Sequence, residues 1–583
     1  MESDLRAGRI FPVAALNLRW RQKLLDLRHA KRIAVAGGGL TGWLAALMLR
    51  RVFSPNVEIV VLEDPDNPAY SGGEGGSGNF IASLERASID IDEFVRETDA
   101  TFKIGNAYHG WRADNANDIF YELFPAPDEH VEEVDFSFRG VWPFLATRIA
   151  TGTPLHTLFP GFSLVATGAS QVEANAVFNL RRSGIKPTFH FNVGKFLKLL
   201  KKIALSRQIS SRSRKVVEFV KSESGDVVAL KLAGGAEISA DFIIDATGFE
   251  RLGAEKAYKS VWRSFSSQLP EDRYLSFKIP EGRKNPSLVS AAVALANGYL
   301  WQVPLRDHVF VHYVFSGKSG TETQIRQALQ SYFGFAVTAG VISTYEAGNF
   351  KTVWNNNVVS LGVASGFISP LESSSFAHML QQLGELERTF IACQGIIGAH
   401  TIGAFNEAND RSFGEIADFQ RMHFDGGRSD SAFWREAGQA KRSPNYEAMK
   451  ACFSERLPRI IDIAGYNSGW SPLFHLMNWL FVAAPLGIIS AGAAIRDLNY
   501  LPPRIMERMQ QYGAELMRIN AANAKPQWKD SGNIEPREQQ GFAAYRNYST
   551  VPAGEFGVKP DRQFSESSGT IETAEGNLRA THG

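Results

Sequence analysis

The chain has 583 residues, and its 44% hydrophobic and 21% charged residues are typical of a globular protein that buries a large core. Its 62 Lys and Arg residues nearly balance 61 Asp and Glu residues, and a net charge of +1 argues against a nucleic-acid partner. Two cysteines, Cys393 and Cys452, exclude a disulfide scaffold, and because the 12 histidines lack ligand spacing we predict no metal site.

The N-terminal 30 residues are basic and contain no long apolar stretch. We therefore expect no secretory signal, and we predict a cytoplasmic protein.

A strand–turn–helix–strand pattern follows, with strands at 32–35 and 57–62 and an apolar helix at 43–49. The turn places Gly37, Gly39 and Gly42 in the spacing GxGxxG of dinucleotide-binding folds. Gly37 permits the tight turn, Gly39 lets the backbone approach a pyrophosphate, and Gly42 permits close packing of the helix on the strand. Glu63 closes the second strand, where its carboxylate can accept hydrogen bonds from ribose hydroxyls.

The middle of the chain reads as sheet. Residues 84–240 carry strand-like runs and one clear amphipathic helix at 193–205. A buried strand at 241–245 ends in Asp245-Ala-Thr-Gly248, and residues 272–315 alternate in strand fashion. These patterns predict an α/β fold with a Rossmann-like FAD-binding domain and a mixed sheet that covers a substrate space. No second GxGxxG occurs, so no NAD(P)H site is evident.

The last third reads as mostly helical. A strand at 358–363 precedes a helix from about residue 373, and the helical pattern continues to about 520. Residues 473–494 approach the length of a membrane span, but Pro485 and Gly487 break them, which favours a buried helix-turn-helix. Residues 523–583 are poor in large apolar groups and predict a flexible tail. We divide the chain into an extension (1–30), an FAD-binding core (31–385), a helical substrate-pocket region (386–522) and the tail (523–583).

Several motifs in order along the chain carry a family resemblance: Gly37-Gly-Gly-Leu-Thr-Gly-Trp43, Phe102-Lys103 within 101–111, Trp301 and Pro304 within 298–305, and Pro370-Leu-Glu372-Ser-Ser-Ser375. With them the chain resembles the flavin-dependent halogenases, especially the tryptophan-halogenase group. That family typically has GGGxAGW, GEAT, WxWxIP and PLEST segments. The departures are Gly73-Glu74-Gly75-Gly76 for GEAT, Tyr299 for the first Trp, Val303 for Ile, and Ser374 and Ser375 in the PLEST region.

The resemblance implies that reduced FAD, oxygen and halide form hypohalous acid, which travels through an internal tunnel to a separate substrate pocket. Reduced FAD would come from a separate flavin reductase. Lys103 would hold hypohalous acid or form a haloamine, and Glu372 would orient the oxidant and take the proton that the ring loses. Backbone N–H groups near Ser374 and Ser375 would hold chloride or bromide. Without the resemblance, Lys103 would be interpreted as a surface lysine. Glu372 would be interpreted as an acidic residue at a helix N-terminus.

The remaining predicted site residues form two groups. The residues predicted to bind FAD are Gly37, Gly39, Leu40, Thr41, Gly42, Glu63, Glu74, Asp245, Gly248 and Gly362. The residues predicted to line the passage and the substrate pocket are Trp301, Pro304, Phe124, Glu122, Phe474 and Trp470.

The acceptor is expected to be an electron-rich aromatic of indole, pyrrole or phenol type rather than free tryptophan. Glu122 stands where tryptophan-specific relatives have histidine, and the apolar stretch 469–481 suits a larger acceptor. A single-component FAD aromatic hydroxylase and a non-catalytic flavoprotein are the alternatives. A homodimer is left open.

Overall fold

The computed structural model describes residues 24–67, 70–115, 117–124, 142–179, 185–280, 285–467 and 469–523. The predicted tail, apart from residue 523, lies outside the described residues, as does the predicted extension before residue 24.

A six-stranded sheet forms the FAD-binding region that the sequence predicts. Its strand order is Trp354–Asn355, Val358–Ser360, Phe242–Asp245, Arg32–Ala36, Glu58–Glu63 and Ile209–Ser213, and every pair except the first is parallel. The strands predicted at 32–35, 57–62 and 241–245 are confirmed. The strand predicted at 358–363 ends earlier, at Ser360, because Gly362 turns the chain with φ +58°.

The two faces of this sheet are covered differently, and both are buried. One face packs against the helices Leu40–Val52, Val193–Ser206 and Ser374–Ala392. The other packs against a small sheet of Val216–Lys221, Val227–Leu232 and Glu237–Ser239. Burial on both faces explains why the central strands Arg32–Ala36, Glu58–Glu63 and Phe242–Asp245 are nearly continuous apolar runs rather than alternating ones.

A seven-stranded mixed sheet lies beside the FAD-binding region, as the alternation at 272–315 predicts. Its order is Ile342–Thr344, Arg273–Pro280, His308–Phe315, Gly298–Pro304, Ser290–Leu295, Gly105–His109 and Ile119–Leu123. One face packs under the helix Glu322–Phe333 and includes Leu300 and Tyr313. The opposite face carries Tyr299, Trp301 and Val303 into the main core, because neighbouring residues of a strand point to opposite faces.

Three small sheets complete the strands of the described residues. The one that bears on the site joins Gly73–Gly75, Thr188–Asn192 and Thr101–Lys103. The other two join Trp262–Ser264 with Gly348–Phe350 and Gly366–Phe367, and Leu25–Asp26 with Ile396–Ile397.

The region 84–240 contains more helix than the sequence analysis predicts. Besides the predicted helix, observed as Val193–Ser206, it and its flank contain five short helices: Gly78–Arg86, Ile91–Thr98, Trp142–Ala150, Phe162–Ala166 and Gln171–Phe178. Such helices span one to three turns, too few for a clear 3.6-residue period. Caps define two of them: Asp90 accepts from the Glu93 N–H at 2.8 Å, and Ser170 forms a capping box with Glu173.

The C-terminal part is helical, as predicted. Its helices are Ser374–Ala392, Ala399–Met422, Ala432–Gln439, Pro444–Glu455, Ile460–Ile463, Leu476–Ala483, Ala491–Asn499 and Pro503–Asn523. The first of these crosses the division drawn after residue 385, so the two regions share one helix. The stretch 473–494 forms two short helices around Pro485 and Gly487, and no helix among the described residues is long and apolar enough to cross a membrane.

Candidate active site

A cleft of about 880 Å³ opens at the carboxyl edge of the six-stranded sheet. The helix Leu40–Val52 starts there with Gly39 at its N-cap, so its first N–H groups face the cleft. Gly37 has φ +114°, and a methyl group on it would lie 2.2 Å from the Ala246 carbonyl oxygen. A methyl group on Gly39 would meet no atom within 4 Å. The cleft size, the open glycine and the free N–H groups fit a dinucleotide.

Most residues predicted to bind FAD line this cleft. They are Gly37, Gly39, Leu40, Thr41, Glu63, Glu74, Gly248 and Gly362. The Glu63 carboxylate also pairs with Lys201 Nζ at 2.5 Å, and Lys201 and Lys198 line the cleft although the sequence analysis did not single them out.

Two residues predicted to bind FAD, Asp245 and Gly42, are not among the residues that line the cleft. Asp245 is buried, and its carboxylate accepts hydrogen bonds from Thr247 N and Oγ1 at 3.1 and 2.6 Å. It also accepts from Gly253 N and Ser360 Oγ, both at 2.8 Å. These bonds use the carboxylate to hold the turn before Gly248. A methyl group on Gly42 would lie 1.9 Å from the Gly37 carbonyl oxygen, so this glycine serves the packing of helix on strand.

Lys103 lies inside the protein and is 1% exposed. Its strand, Thr101–Lys103, pairs with Thr188–Asn192 in the small sheet that also holds Glu74. Its Nζ lies 5.3 Å from the ring centroid of Phe124 and 5.9 Å from that of Trp301. Trp301 also lines the cleft, so this indole borders both Lys103 and the dinucleotide-sized space.

Burial and the neighbouring negative charges shift the pKa of Lys103 in opposite directions. Burial lowers the pKa of the Lys103 ammonium to about 8, and the neighbouring carboxylates of Glu74, Glu122 and Glu372 oppose that change. The amine is therefore near its titration point at neutral pH, inside an environment that holds three acidic side chains.

Glu372 is held in a strained turn by two aromatic partners. Its φ is +62° and that of Ser373 is +58°, a conformation that residues other than glycine rarely adopt. The Tyr108 hydroxyl donates to Glu372 Oε1, and His423 Nε2 lies 2.9 Å from the same oxygen. His423 Nδ1 lies 2.9 Å from the Phe419 carbonyl oxygen and must carry a proton to bond to it.

Glu122 is the second buried carboxylate beside Lys103. Asn106 Nδ2 donates to its Oε2 at 2.9 Å, and Asn478 Nδ2 donates to its Oε1 at 2.6 Å. Burial and the charge of Glu372 raise the pKa of Glu122. Because Asn478 belongs to the helix Leu476–Ala483, this bond ties the mixed sheet to the helical region.

Gly75, one of the departures from the family pattern, leaves room for Lys103. A methyl group at this position would lie 3.0 Å from Lys103 Nζ and 3.3 Å from Ser290 Oγ. Ser290 Oγ in turn lies 2.9 Å from His190 Nε2. An alanine here, as in GEAT, would press on the amine.

The Pro370–Ser375 turn carries Glu372 and borders the cleft. Ser375 lines the cleft. The Ser374 side chain points away from it, since its Oγ donates to Leu371 O at 3.3 Å and accepts from Gln420 Nε2 at 2.9 Å. Any contribution of Ser374 to the cleft therefore comes from its backbone at the start of the helix Ser374–Ala392.

The predicted passage and pocket residues are only partly brought together. Phe124 and Trp301 flank Lys103, and the Pro304 carbonyl accepts from Thr101 Oγ1 at 3.3 Å. Phe474 stacks on Phe419 at 3.8 Å between ring centroids. Trp470 packs against Phe405 at 5.0 Å and His378 at 6.2 Å between ring centroids, away from the Lys103 group of contacts.

Further cleft and pocket residues escaped the sequence analysis. Tyr70, Tyr274 and His312 line the cleft, and the Tyr70 hydroxyl lies 3.2 Å from His312 Nε2. The alternation of the strand His308–Phe315 could have placed His312 on the inner face with Phe310 and Val314. No sequence pattern predicts a role for Asn106 or Asn478, because their role is to donate hydrogen bonds to Glu122 and depends on the fold.

Comparisons with known sequences agree with the fold and with the order of the motifs. The family model described as Tryptophan halogenase matches residues 32–496. The protein y4xG of Sinorhizobium fredii, described as uncharacterized, is 39% identical over 490 residues, which cover 84% of this chain and 96% of that protein. The tryptophan 7-halogenase RebH of Lentzea aerocolonigenes is 25% identical over 513 residues, which cover 83% of this chain and 94% of RebH.

Among solved structures, the tryptophan halogenase from Shewanella frigidimarina has a similar fold. Its TM-score is 0.75 at 22% sequence identity, and the match covers 86% of this chain and 96% of that chain.

Proposed function

Because this chain belongs to the tryptophan halogenase family of flavin-dependent halogenases, we propose that it halogenates an electron-rich aromatic larger than free tryptophan. The oxidant is hypohalous acid made from halide and oxygen. Reduced FAD, delivered by a separate reductase, supplies the two electrons for oxygen activation when bound in the cleft. The acceptor is an indole, pyrrole or phenol.

The glycine turn and the residues opposite it would hold FAD. The N–H groups at the start of the helix Leu40–Val52 face the cleft and would bind the pyrophosphate. Glu63 would accept from ribose hydroxyls, and Lys198 and Lys201 supply positive charge on the same wall. Asp245 would act indirectly, by holding the turn that carries Gly248.

Lys103 carries the proposal. It is a buried amine that lies beside Trp301, a residue of the cleft wall, and whose pKa is influenced by the carboxylates of Glu372 and Glu122. A cation in this position would hydrogen-bond hypohalous acid and polarise its O–X bond, and the neutral amine would form a haloamine. Because the pKa of Lys103 is lowered to about 8, both forms are accessible near neutral pH.

Glu372 would accept the proton that the aromatic ring loses, and His423 would orient Glu372 for this role. The C–X bond forms as the O–X bond breaks, and the ring carbon then loses its proton to Glu372. Hydroxide from the oxidant takes a proton from the Lys103 ammonium and leaves as water. Tyr108 and His423 fix the Glu372 carboxylate by hydrogen bonds to Oε1, which orients it for this role.

The halide would bind where the Pro370–Ser375 turn enters its helix. A helix N-terminus favours anions through its free N–H groups and its dipole. Ser375 lines the cleft, so an anion bound to this backbone would lie close to bound FAD.

The acceptor pocket supports a substrate other than free tryptophan. Each oxygen of Glu122 accepts from an asparagine, and this position offers a buried acid rather than an imidazole for stacking. Phe124 is half-buried, and its ring centroid lies 5.3 Å from the Lys103 amine. Phe474, which is stacked on Phe419, would belong to the wall of the acceptor pocket.

The test is a screen with the full-length chain, a flavin reductase, NADH, FAD, oxygen and either chloride or bromide. Mass spectra of a library of indoles, pyrroles and phenols should show isotope satellites of the halogen used. Lys103→Met should lower product formation at least a thousandfold, within the range of a lost acid–base group. Lys202→Met is the matched control, because Lys202 is 66% exposed on a surface helix. Full activity of Lys103→Met, or faster turnover of free tryptophan than of every larger aromatic, contradicts the proposal.

A further inference from the structure

Tyr70 and His312 are two aromatic residues of the cleft that the proposed function does not use. Both line the cleft, and Tyr70 is 45% exposed while His312 is half-buried. Each ring therefore has a surface that a bound ligand can cover. Open aromatic surface inside a concave site is typical of a ligand contact.

His312 lies at the end of the cleft that borders Lys103. Its strand pairs with the strand Gly298–Pro304, and the register sets His312 directly opposite Trp301. Side chains in such a pair are neighbours on one face of the sheet. The Trp301 ring is in turn 5.9 Å from Lys103 Nζ. Because the proposed oxidant passes from FAD to Lys103, the isoalloxazine ring belongs at this end of the cleft.

Hydrogen bonds fix the tautomer and the orientation of the His312 ring. The Tyr70 hydroxyl lies 3.1 Å from the Gly73 carbonyl oxygen and 3.2 Å from His312 Nε2. A carbonyl only accepts, so Tyr70 donates its single hydrogen to Gly73, and His312 Nε2–H donates to Tyr70. Burial lowers the pKa of His312 to about 4, so the ring is neutral at neutral pH and its Nδ1 accepts from Ser276 Oγ at 2.8 Å. Both ring nitrogens are engaged, which leaves the ring surface for a ligand.

The two rings together form one broad and nearly flat surface. Their planes are inclined by 18° with centroids 6.1 Å apart, and the hydrogen bond joins them at their edges. Phe310 packs nearly perpendicular to both rings, at 84° to Tyr70 and 79° to His312. Tyr274 packs at 88° to His312. These perpendicular contacts restrain the tilt of both rings.

We propose that Tyr70 and His312 form an aromatic platform against which the isoalloxazine ring of FAD packs. The proposal deepens the proposed function, on which it rests for the presence of FAD in the cleft. Offset parallel stacking is a favourable arrangement of flat aromatic rings. Because Tyr70 and His312 use their hydrogen-bond donors on protein groups, the platform contributes flat surface rather than hydrogen bonds. It would hold the ring beside Trp301, at the end from which the oxidant leaves toward Lys103.

The first test measures the binding of FAD and of ADP to the full chain by calorimetry. ADP carries the adenosine and pyrophosphate parts of FAD but lacks the isoalloxazine ring. Tyr70→Leu and His312→Leu should each weaken FAD binding about tenfold and should change the Kd of ADP by less than about twofold. Tyr332→Leu is the control and should change neither, because Tyr332 is 44% exposed on the helix Glu322–Phe333, which covers the opposite face of the mixed sheet. Equal losses for FAD and ADP would mean that adenosine packs there and would overturn the platform, as would unchanged FAD binding in both variants.

The second test observes His312 with the wild-type side chains in place. In the full chain labelled with ¹³C-histidine, comparison with His312→Gln identifies the His312 ring signal. FAD should shift the Cε1–H resonance through the ring current of the isoalloxazine, whereas ADP should leave it in place. A resonance that FAD does not move, or that ADP moves equally far, overturns the platform.

The platform and the proposed function fail in different ways. A FAD-dependent shift of the His312 resonance without any halogenated product refutes the proposed function and supports the platform. Halogenated product from a chain whose His312 resonance ignores FAD refutes the platform alone. A chain that does not bind FAD refutes both.

Discussion

The FAD cleft is shaped mainly by the backbone, whereas the surroundings of Lys103 are formed by side chains. The cleft is about 880 Å³ in volume and is shaped by glycines and helix N–H groups at one sheet edge. The Lys103 pocket is closed and is made of side chains, with an amine and acids buried together. A backbone-built site tolerates a large and variable ligand, whereas a side-chain cluster fixes the protonation state of a few atoms. The division suits a protein that makes an oxidant in one place and uses it in another.

Removing the carboxylate of Glu372 should lower kcat more than the glycine substitutions described below. Glu372→Gln keeps the shape of the side chain but removes the proton acceptor, and we expect kcat to fall about a hundredfold. FAD affinity should stay within a factor of two, measured by flavin fluorescence, because Glu372 lies outside the cleft. A loss of FAD affinity as large as the loss of kcat would contradict the separation of the FAD cleft from the residues around Lys103.

Two glycines of the cleft should separate ligand binding from folding. Gly39→Ala should leave the stability of the FAD-free chain unchanged, since its methyl group meets no atom within 4 Å, and should weaken FAD binding about tenfold. Gly42→Ala should lower the free energy of unfolding by about 2 kcal/mol, because its methyl group would overlap the Gly37 carbonyl. Thermal unfolding and FAD titration of both variants measure this, and equal stability losses would contradict it.

The smallest effect is expected at Gly75, the glycine that lies beside Lys103 Nζ. Gly75→Ala restores the family alanine and places a methyl group 3.0 Å from Lys103 Nζ. Because the amine ends a flexible side chain, it can shift by a few tenths of an ångström, and we expect kcat to fall about threefold. Gly78→Ala is the control, as its methyl group meets nothing within 4 Å. A rise in kcat for Gly75→Ala would show that the glycine does not serve Lys103.

The same contrast explains what the sequence could predict. The cleft follows from a local pattern, because Gly37 to Glu63 form one strand–helix–strand unit whose parts stay together in the fold. The mixed sheet follows from alternation, and the helical part from its period. Short helices such as Ile91–Thr98 were missed, because a cap and tertiary packing define them rather than a long period.

The Lys103 pocket depends on contacts between distant segments. Motif resemblance singled out Lys103 and Glu372. The partners of the neighbouring acid Glu122, which are Asn106 and Asn478, were invisible because nothing in a sequence sets two asparagines apart until the fold brings them to Glu122. The sequence likewise does not separate two roles for Asp245, since its position after a strand is compatible with binding a ligand or with holding a turn.

The ionisation of Lys103 tests the central claim most directly. Nuclear magnetic resonance of the full chain labelled with ¹³C-lysine, compared with Lys103→Met, isolates the signal of this one amine. The account predicts a midpoint near pH 8, with the ammonium present below it and the neutral amine above it. A midpoint near 10.5, the ordinary lysine value, would mean that the amine is in contact with water and would contradict the account.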